Sequence, residues 1–377
     1  MANILDYLTW RGDIPFSQVP LNEIDSLILS RISYFPFDNL FQGEEKITIE
    51  KAYKRFRKEK DKTVLQVDDL DLFPAVAKCA RYKDLVLLDY INKVEPKEEK
   101  QFSAITICLP NHILYVSFRG TDNTLIGWKE DFNMSFSSHV PSQKDSKAYL
   151  NNIASKYEGD IIVGGHSKGG NLAVYAATFC NDEIKKRIKI IYNEDGPGFD
   201  DDIVQTVEYQ KMIQKVHTYI PQSSVIGRLL NHQETYVVVQ STANGIMQHD
   251  LYSWQVLGSK FVSMKNVTDK SLLVDKTIKE WVKTVPADQR AQVVEVLFEI
   301  INSTDATTLE ELSNKKIATA RLLIKNYQNI DSENKVLISK ALHSLLGIVK
   351  ENVMMNISNK NSKKSKKVKS SKLEIKI

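Results

Sequence analysis

The spacing of apolar residues along the chain changes twice, and each change marks a different kind of structure. Over residues 1–82 the apolar positions recur at helical spacing, which predicts a mostly helical N-terminal part. From residue 84 onward, short β-branched runs alternate with helical segments. This alternation is typical of the α/β fold class, with a mixed, mainly parallel sheet and flanking helices. The predicted strands cover 85–91, 102–109, 112–118, 160–163, 188–193, 215–220 and 234–240, and the predicted helices include 21–32, 47–56, 142–157 and 201–213.

Beyond residue 266 the strand pattern stops and a helical C-terminal region begins. Four amphipathic helices joined by short loops are predicted over 269–284, 287–302, 309–328 and 333–349. From about residue 356 the chain is rich in Lys, Ser and Asn and almost free of apolar residues, which predicts a disordered tail. We therefore divide the chain into an α/β domain over 1–265, a helical region over 266–355 and a Lys-rich tail over 356–377.

Four aromatic residues stand out in the N-terminal part, namely Trp10, Tyr34, Phe35 and Phe37. Such side chains either contact a ligand or fill a hydrophobic core. Core packing is the commoner role of large aromatic side chains, so we expect it for all four.

The composition is that of a globular protein with a balanced charge. No apolar run approaches the roughly 18 residues of a transmembrane helix, and the N-terminus lacks the features of a signal peptide. Cys79, Cys108 and Cys180 have no paired spacing, which suits a reducing compartment. Zinc-ligand and phosphate-loop patterns do not occur. We expect a cytoplasmic protein with no cofactor, no metal and no transmembrane segment.

The net charge of +4 hides an uneven distribution. Residues 359–377 contain eight Lys and one Glu, a net charge of +7, so the rest of the chain carries −3. Each Lys near an anionic bilayer contributes about 1 kcal/mol, so the tail suggests weak contact with an anionic surface. A purely solubilising role is the simpler interpretation. Lysines without interleaved aromatic residues do not indicate specific nucleic-acid binding.

The most specific motif lies within residues 160–177, where a β-branched run leads into Gly165-His166-Ser167-Lys168-Gly169 and then into helix-forming alanines. This order predicts a strand, a sharp turn and a helix. A serine at such a turn projects its hydroxyl above the sheet, and glycine leaves room two positions to either side. The helix start directs N–H groups and partial positive charge at the same place. The motif also fits a glycine-rich turn with a buried serine, but its context favours Ser167 as a nucleophile.

A serine nucleophile needs a histidine base, which in this architecture follows the serine in the chain. Four histidines follow Ser167, namely His217, His232, His249 and His343. His217 lies inside a predicted strand, where we expect it to pack, whereas His232 ends a predicted helix and His343 belongs to the helical region. His249 lies in a loop just after the last predicted strand. We predict His249 as the base, with packing against Trp254 as the alternative.

Asp195 is the predicted acid of the triad. It follows the predicted strand 188–193 at the edge of the sheet where sites collect, beside a Gly-Pro-Gly turn. Asp250 adjoins His249 in sequence and is poorly placed to align with its ring. The alternative role of Asp195 is that of a turn-capping aspartate.

Backbone donors for an oxyanion are predicted from two places. One is the amide of Lys168, directly after the nucleophile, and the other is the loop Gly120-Thr121, where the Thr121 hydroxyl would add to the amides. Donors of this kind are typically worth about 3–4 kcal/mol of barrier each.

The residues match a known pattern. Phe118-Arg119-Gly120-Thr121 with Trp128 and Asp131, followed by the Gly-x-Ser-x-Gly turn, resembles the class 3 lipases. The fuller pattern resembles the uncharacterised Mbeg1-like family of α/β-hydrolases over about residues 1–260. It includes Trp10-Arg11-Gly12-Asp13, Gln101-Phe102-Ser103-Ala104, Asn193-Glu194-Asp195-Gly196-Pro197-Gly198-Phe199, Pro221-Gln222-Ser223-Ser224 and Gln248-His249-Asp250. The resemblance implies an α/β-hydrolase-like fold, with Ser167 as nucleophile, His249 as base and the Thr121 loop in the oxyanion hole.

One departure from the lipase pattern leaves two functions open. Class 3 lipases carry their acid in the loop after the next-but-one strand, here Gln222-Ser223-Ser224-Val225, which holds no carboxylate. Either Asp195 takes over that role or the triad is incomplete. The intact serine motif favours a serine hydrolase, an esterase or lipase-like enzyme that cleaves an acyl ester. The missing carboxylate favours a non-catalytic α/β-hydrolase scaffold that binds an acyl ligand or a protein partner. We predict the enzyme.

Overall fold

A computed structural model describes residues 2–60, 64–122, 124–134, 136–137, 139–302, 331–341 and 343–344. A nine-stranded sheet forms its centre, in the order β1-β2-β3-β4-β5-β6-β7-β8-β11, and β9 and β10 form a separate hairpin. The strands are β1 (Lys46–Thr48), β2 (Val86–Glu95), β3 (Lys100–Leu109), β4 (Ile113–Phe118), β5 (Ile161–His166), β6 (Ile188–Glu194), β7 (Val216–Pro221), β8 (Tyr236–Val239), β9 (Val256–Leu257), β10 (Lys260–Phe261) and β11 (Ser263–Met264).

Helices cover both faces of this sheet. They are α1 (Ile4–Arg11), α2 (Glu23–Ile32), α3 (Ile49–Phe56), α4 (Asp69–Lys78), α5 (Leu125–Asn133), α6 (Pro141–Lys156), α7 (Lys168–Phe179), α8 (Asp182–Arg187), α9 (Asp201–Val204), α10 (Val207–Met212), α11 (Asp269–Thr284) and α12 (Ala287–Asn302). The N-terminal helices α1 to α4 bury one large apolar cluster against the sheet, and α6, α7 and α10 bury another. Two buried layers on one sheet are the α/β architecture that the alternating pattern predicts.

The middle of the sheet is parallel. Strands β4 to β8 run in the same direction, whereas β1 to β4 pair antiparallel and β11 adds an antiparallel edge. Parallel strands bring their carboxyl ends to one edge of the sheet, and the turns after β5, β6 and β7 therefore lie together. The predicted mixed sheet with flanking helices in an α/β-hydrolase-like fold is confirmed.

Local details differ from the sequence-based expectations. The helix expected over 201–213 is two short helices, because Thr206 caps the second with a hydrogen bond from the Tyr209 amide to its hydroxyl. Phe35 and Phe37 are buried in the core as expected. Trp10, in contrast, is 42% exposed, so the expectation that it packs in the core is wrong. Tyr34 is buried at the functional site described below.

Two buried ion pairs join helix α2 to α4 and to the segment that follows α4. Arg81 contacts Asp25 through its Nε at 2.7 Å, and the Arg31 guanidinium makes two 2.6 Å hydrogen bonds to Asp69. The Tyr252 hydroxyl donates to Asp69 at 2.7 Å. Paired charges of this kind are tolerated in a core only with complete hydrogen bonding, which bidentate arginine geometry supplies. The ion pairs hold the N-terminal helices together, and the Tyr252 bond links Asp69 to the short helix 251–253.

The helical C-terminal region is described in part. Helices α11 and α12 have the bounds expected from the sequence, and residues 332–341 are also helical. Helix α12 packs on α5 through Val294 and Phe298, with an ion pair of 2.7 Å between Lys129 and Glu295. The helix predicted over 309–328 and the Lys-rich tail lie outside the described residues. Across the described ranges, no helix has both the length and the apolar composition needed to cross a bilayer.

Glu194 ends β6 in a fully buried position. The Ser26 hydroxyl donates to its Oε1 at 2.7 Å, and the Tyr115 hydroxyl lies 2.8 Å from the same Ser26 oxygen. Burial nevertheless raises the pKa of Glu194 to about 7. The folded protein therefore holds a proton at Glu194 over a pH range in which the unfolded chain has lost it.

This difference predicts a pH-dependent stability. As pH rises from about 4.5 to 7, the wild-type protein loses on the order of 3 kcal/mol of unfolding free energy through Glu194, because the unfolded state ionises first. Glu194→Gln cannot ionise, so the variant should gain stability relative to wild type by that amount between pH 5 and pH 8. Urea unfolding at several pH values measures it. Glu183→Gln, at an exposed site, is the control, and parallel curves for Glu194→Gln and wild type would contradict the prediction.

Candidate active site

Ser167 lies at the sharp turn between β5 and α7. Its backbone adopts φ 60° and ψ −135°, a sparsely populated conformation for a residue with a side chain. The Ser167 amide donates to the Glu194 carbonyl at 2.9 Å, and the Gly170 amide donates to the Ser167 carbonyl at 2.9 Å. These bonds hold the strained conformation and direct the hydroxyl above the carboxyl edge of the sheet.

The two glycines of the motif permit this turn by their lack of a side chain. A Cβ at Gly165 would lie 2.3 Å from the Gly169 carbonyl carbon, and a Cβ at Gly169 would lie 2.1 Å from the Phe118 carbonyl oxygen. Backbone from β4, β5 and α7 therefore meets with no space for a methyl group. This packing brings the loop after Phe118 directly against the turn that carries Ser167.

Ser167, His249 and Asp195 form a continuous line of hydrogen bonds. The Ser167 Oγ lies 2.9 Å from His249 Nε2, and His249 Nδ1 lies 2.6 Å from Asp195 Oδ2. The Asp195 side chain is fully buried, whereas the His249 side chain is 27% exposed. The structure thus brings together the serine, the histidine and the aspartate that the sequence analysis selected from three distant parts of the chain.

The Asp195 carboxylate is held from the neighbouring strand. Its backbone has a φ of 52°, and its amide donates to the Tyr219 carbonyl at 2.8 Å. Oδ1 accepts hydrogen bonds from the Ser224 hydroxyl at 2.5 Å and the Gly227 amide at 3.1 Å. These donors come from the loop after β7, where the lipase pattern would have its acid. Asp250, which the sequence analysis set aside as an acid, accepts a hydrogen bond from the Tyr252 amide at 3.0 Å and caps the short helix 251–253.

His166 and Tyr34 support the histidine and the adjoining loop. The His166 ring lies 4.6 Å from the His249 ring, and its Nε2 is 2.9 Å from the His249 carbonyl. Burial lowers the pKa of His166 well below 6.5, so its neutral ring donates this hydrogen bond. The Tyr34 hydroxyl accepts from the Gly120 amide at 3.0 Å and donates to the His166 carbonyl at 3.2 Å. Sequence analysis missed both roles, since neither residue belongs to a motif that specifies its partner.

Two backbone amides remain for an oxyanion. The Gly120 amide donates to the Tyr34 hydroxyl, and the Thr121 hydroxyl donates its proton to the Asp131 carboxylate. A hydroxyl has one proton, so with Asp131 ionised none is left for an oxyanion. The expectation that the Thr121 hydroxyl adds to the oxyanion donors is therefore wrong in this state. Among the described residues, the amides of Thr121 and Lys168 have no hydrogen-bond partner. Lys168 is the first residue of α7, whose amide has no acceptor within the helix.

The Lys168 side chain ends in a buried polar cluster. Its ammonium donates to the Gln101 carbonyl at 3.0 Å and to Glu130 at 3.1 Å, and lies 3.8 Å from Asp131. Desolvation raises the pKa of Asp131 to about 6, although the Lys168 charge and the Thr121 hydroxyl both act against this shift. The cluster fixes the start of α7 and the Thr121 loop with respect to each other.

A cleft of about 410 Å³ opens above Ser167. Its walls are mostly apolar, and much of the apolar surface comes from α5, the 226–230 segment, the 246–247 segment and α11. The apolar lining residues include Phe132, Ile226, Leu229, Leu230, Ile246, Met247, Ile278 and Val282. No group of three or more His, Cys, Asp or Glu side chains is arranged to hold a metal ion in the part of the chain that the structure describes. The cleft therefore suits an apolar ligand with its polar end at Ser167.

The sheet, the turn at Ser167 and the cleft above it define an α/β-hydrolase-like protein. The chain belongs to the Mbeg1-like family, whose model matches residues 76–299, which confirms the family expected from the motifs. The match begins and ends later than the region 1–260 in which the sequence resembles the family. It includes α11 and most of α12.

Three solved structures with distant similarity are lipases. They are an M37 lipase (14% identity, TM-score 0.35, 55% of this chain and 69% of the other), a triacylglycerol lipase described as having a serine protease triad (12%, 0.29, 41% and 64%) and the Rhizomucor miehei lipase in complex with its propeptide (14%, 0.31, 49% and 67%). The chain thus spans about two thirds of the length of each. No curated protein matches the sequence.

The packing at the serine turn predicts the effect of one methyl group. Gly169→Ala should lower the unfolding free energy by about 3 kcal/mol, because the new Cβ overlaps the Phe118 carbonyl, although alanine is normally the better helix former. Urea unfolding measures the loss. In Gly258→Ala, the control, φ is +64° and the space is open, so only a backbone cost of about 1–2 kcal/mol applies. Equal losses in both variants would argue against the clash.

Proposed function

We propose that the protein is a serine hydrolase that cleaves an acyl ester. The observation that carries the proposal is the hydrogen-bonded line from Ser167 through His249 to the buried Asp195, with separations of 2.9 and 2.6 Å. Nucleophile, base and orienting acid within hydrogen-bond distance are what acyl transfer requires. Acyl transfer also requires hydrogen-bond donors for the developing oxyanion. The amides of Thr121 and Lys168, which have no partner in the described part of the chain, are available for this role.

The reaction proceeds in two halves. Ser167 Oγ attacks the ester carbonyl carbon while His249 Nε2 takes the hydroxyl proton, and the amides of Thr121 and Lys168 stabilise the negative carbonyl oxygen. His249 then gives the proton to the leaving alcohol oxygen, and the carbon–oxygen bond breaks to leave an acyl-serine. A water molecule loses a proton to His249 and attacks the acyl carbon. His249 then returns this proton to Ser167 Oγ as the acyl carbon–Oγ bond breaks, which releases the carboxylic acid and restores Ser167. Asp195 keeps the proton on His249 Nδ1 and stabilises the imidazolium.

The wall of the cleft supports an acyl chain as the group that is transferred. Most of its surface is aliphatic or aromatic, and such a surface gains free energy by removing apolar ligand area from water. The ester carbonyl would then lie beside the amides of Thr121 and Lys168, with the alcohol part toward solvent. The free thiols of Cys79, Cys108 and Cys180 support a reducing, cytoplasmic setting.

The scaffold alternative depended on the missing carboxylate in the 222–225 segment. Asp195 supplies a carboxylate from the neighbouring strand, and Ser224 from that same segment donates a hydrogen bond to it. A buried acid with two donors on one oxygen and the histidine on the other supports the enzyme over the scaffold.

A fluorophosphonate probe and an ester assay test this proposal together. Wild-type protein should be labelled covalently and should hydrolyse a p-nitrophenyl ester, whereas Ser167→Ala should be neither labelled nor active. His249→Ala should lose labelling, since the serine then has no base. Asp195→Asn should keep its fold and lower kcat by about 10³–10⁴-fold, because the wrong histidine tautomer is favoured. Folded wild-type protein that is neither labelled nor active would refute the enzyme and support the scaffold.

The cleft wall predicts a dependence on acyl length. Ile278→Trp should narrow the cleft and lower kcat/KM for an octanoyl ester about tenfold or more, while an acetyl ester is hydrolysed almost as before. Leu272→Trp on the same helix, at a position 46% exposed, is the matched control and should leave the profile unchanged. Steady-state kinetics with acetyl, butyryl and octanoyl esters give the comparison. An equal fall for all three esters would speak against an acyl wall at α11.

A further inference from the structure

The loop between β7 and β8 contacts Asp195 on one side and α11 on the other. We call residues 222–228 the acid-binding loop, since Ser224 and Gly227 donate both hydrogen bonds to Asp195 Oδ1. We propose that α11 positions the triad acid through this loop, with Ser271 and Asp275 as the positioning residues. The inference rests on the proposed function, because it assigns a role in the reaction to a helix outside the sheet.

The first connection between α11 and Asp195 passes through Ser224. The Ser271 hydroxyl donates to the Ser224 carbonyl at 2.6 Å, and the Ser224 hydroxyl donates to Asp195. Ser271 is only 3% exposed, so the bond is protected from water. Thr268, which caps α11, adds a hydrogen bond from its amide to the Gln222 carbonyl at 2.7 Å. The start of α11 is thus hydrogen-bonded to the backbone of residues 222 and 224, and Ser224 carries one of the two donors to Asp195.

The second connection is an ion pair. Arg228 Nη2 contacts Asp275 Oδ2 at 2.6 Å, with the two side chains 12% and 10% exposed. Arg228 directly follows Gly227, whose amide is the other donor to Asp195. The Arg228 Nη1 also donates to the Tyr236 hydroxyl at 2.8 Å, so the guanidinium joins α11 to β8. A charged hydrogen bond with limited exposure resists displacement more than a surface pair does.

The loop has little freedom on its Asp195 side. A Cβ at Gly227 would lie 2.2 Å from Asp195 Oδ1, so backbone and carboxylate are already in close contact. A shift of the loop therefore moves the carboxylate or breaks its hydrogen bonds. Because the other oxygen of Asp195 binds His249, either result misaligns the histidine with Ser167. Misplacements of about 1 Å at such sites reduce rates by as much as 100-fold.

The test compares full-length variants in two backgrounds. Ser271→Ala and Asp275→Asn should each lower kcat for an acetyl ester about tenfold or more with little change in KM, since this small substrate needs no contact with α11. In the Asp195→Asn background the same substitutions should cause almost no further loss, because the residue through which they act has been disabled. Lys283→Gln, exposed near the end of α11, is the control and should match wild type in both backgrounds.

Conservative and exchanged variants separate positioning from general destabilisation. Ser271→Thr keeps the hydroxyl and should retain kcat, and the double variant Arg228→Asp with Asp275→Arg should recover part of the activity that Asp275→Asn loses. Unchanged kcat in Ser271→Ala and Asp275→Asn would overturn the inference, and so would losses that add in full to the loss in Asp195→Asn. In either case, wild-type protein that is labelled and active would leave the proposed function standing. An unlabelled and inactive wild type would reject both.

Discussion

The close packing of three backbone segments at the serine turn is the constraint on which the site depends. Gly165, Gly169 and the Phe118 carbonyl meet at distances that exclude any side chain. This contact places Ser167 in a strained conformation, puts the first amide of α7 beside its hydroxyl and draws the Thr121 loop to the same point. The strain is held by hydrogen bonds from buried backbone, as strained functional residues require.

A second requirement is the neutralisation of charge beneath this turn. Lys168 is almost completely buried and meets its counter-charge in Glu130, which also accepts hydrogen bonds from the amides of Gln101 and Ser142. A buried ion pair is tolerated when its remaining donors and acceptors are satisfied. The same residue thus contributes its amide to the cleft and its side chain to the joint between α7, β3 and α5. Sequence analysis predicted only the first of these contributions.

The parts of the site that sequence predicted are those encoded locally. The glycine spacing around Ser167 and its flanking strand and helix define a turn without information from elsewhere in the chain, and the bounds of α11 and α12 follow from helical periodicity. His249 and Asp195 were selected by chain order and by their position after strands, which works because parallel strands end at one edge. Tyr34, His166 and Ser224 were not assigned their roles, since each depends on a partner more than 25 residues away. The exposure of Trp10 was also not predictable, because a single aromatic residue carries no information on which side of its helix is covered.

The position of Asp195 affects how α/β-hydrolase-like proteins are recognised from sequence patterns. Strands β6 and β7 are parallel neighbours, and the Ser224 hydroxyl lies 2.5 Å from the Asp195 carboxylate, so two segments of the chain reach the same point in space. A pattern that demands an acidic residue in the 222–225 segment after β7 finds none in this chain. In the structure, the Asp195 Oδ2 atom lies 2.6 Å from His249 Nδ1, and Asp195 directly follows the adjacent strand β6. Chains discarded from a hydrolase family for a missing acid are therefore worth inspecting at the end of the adjacent strand.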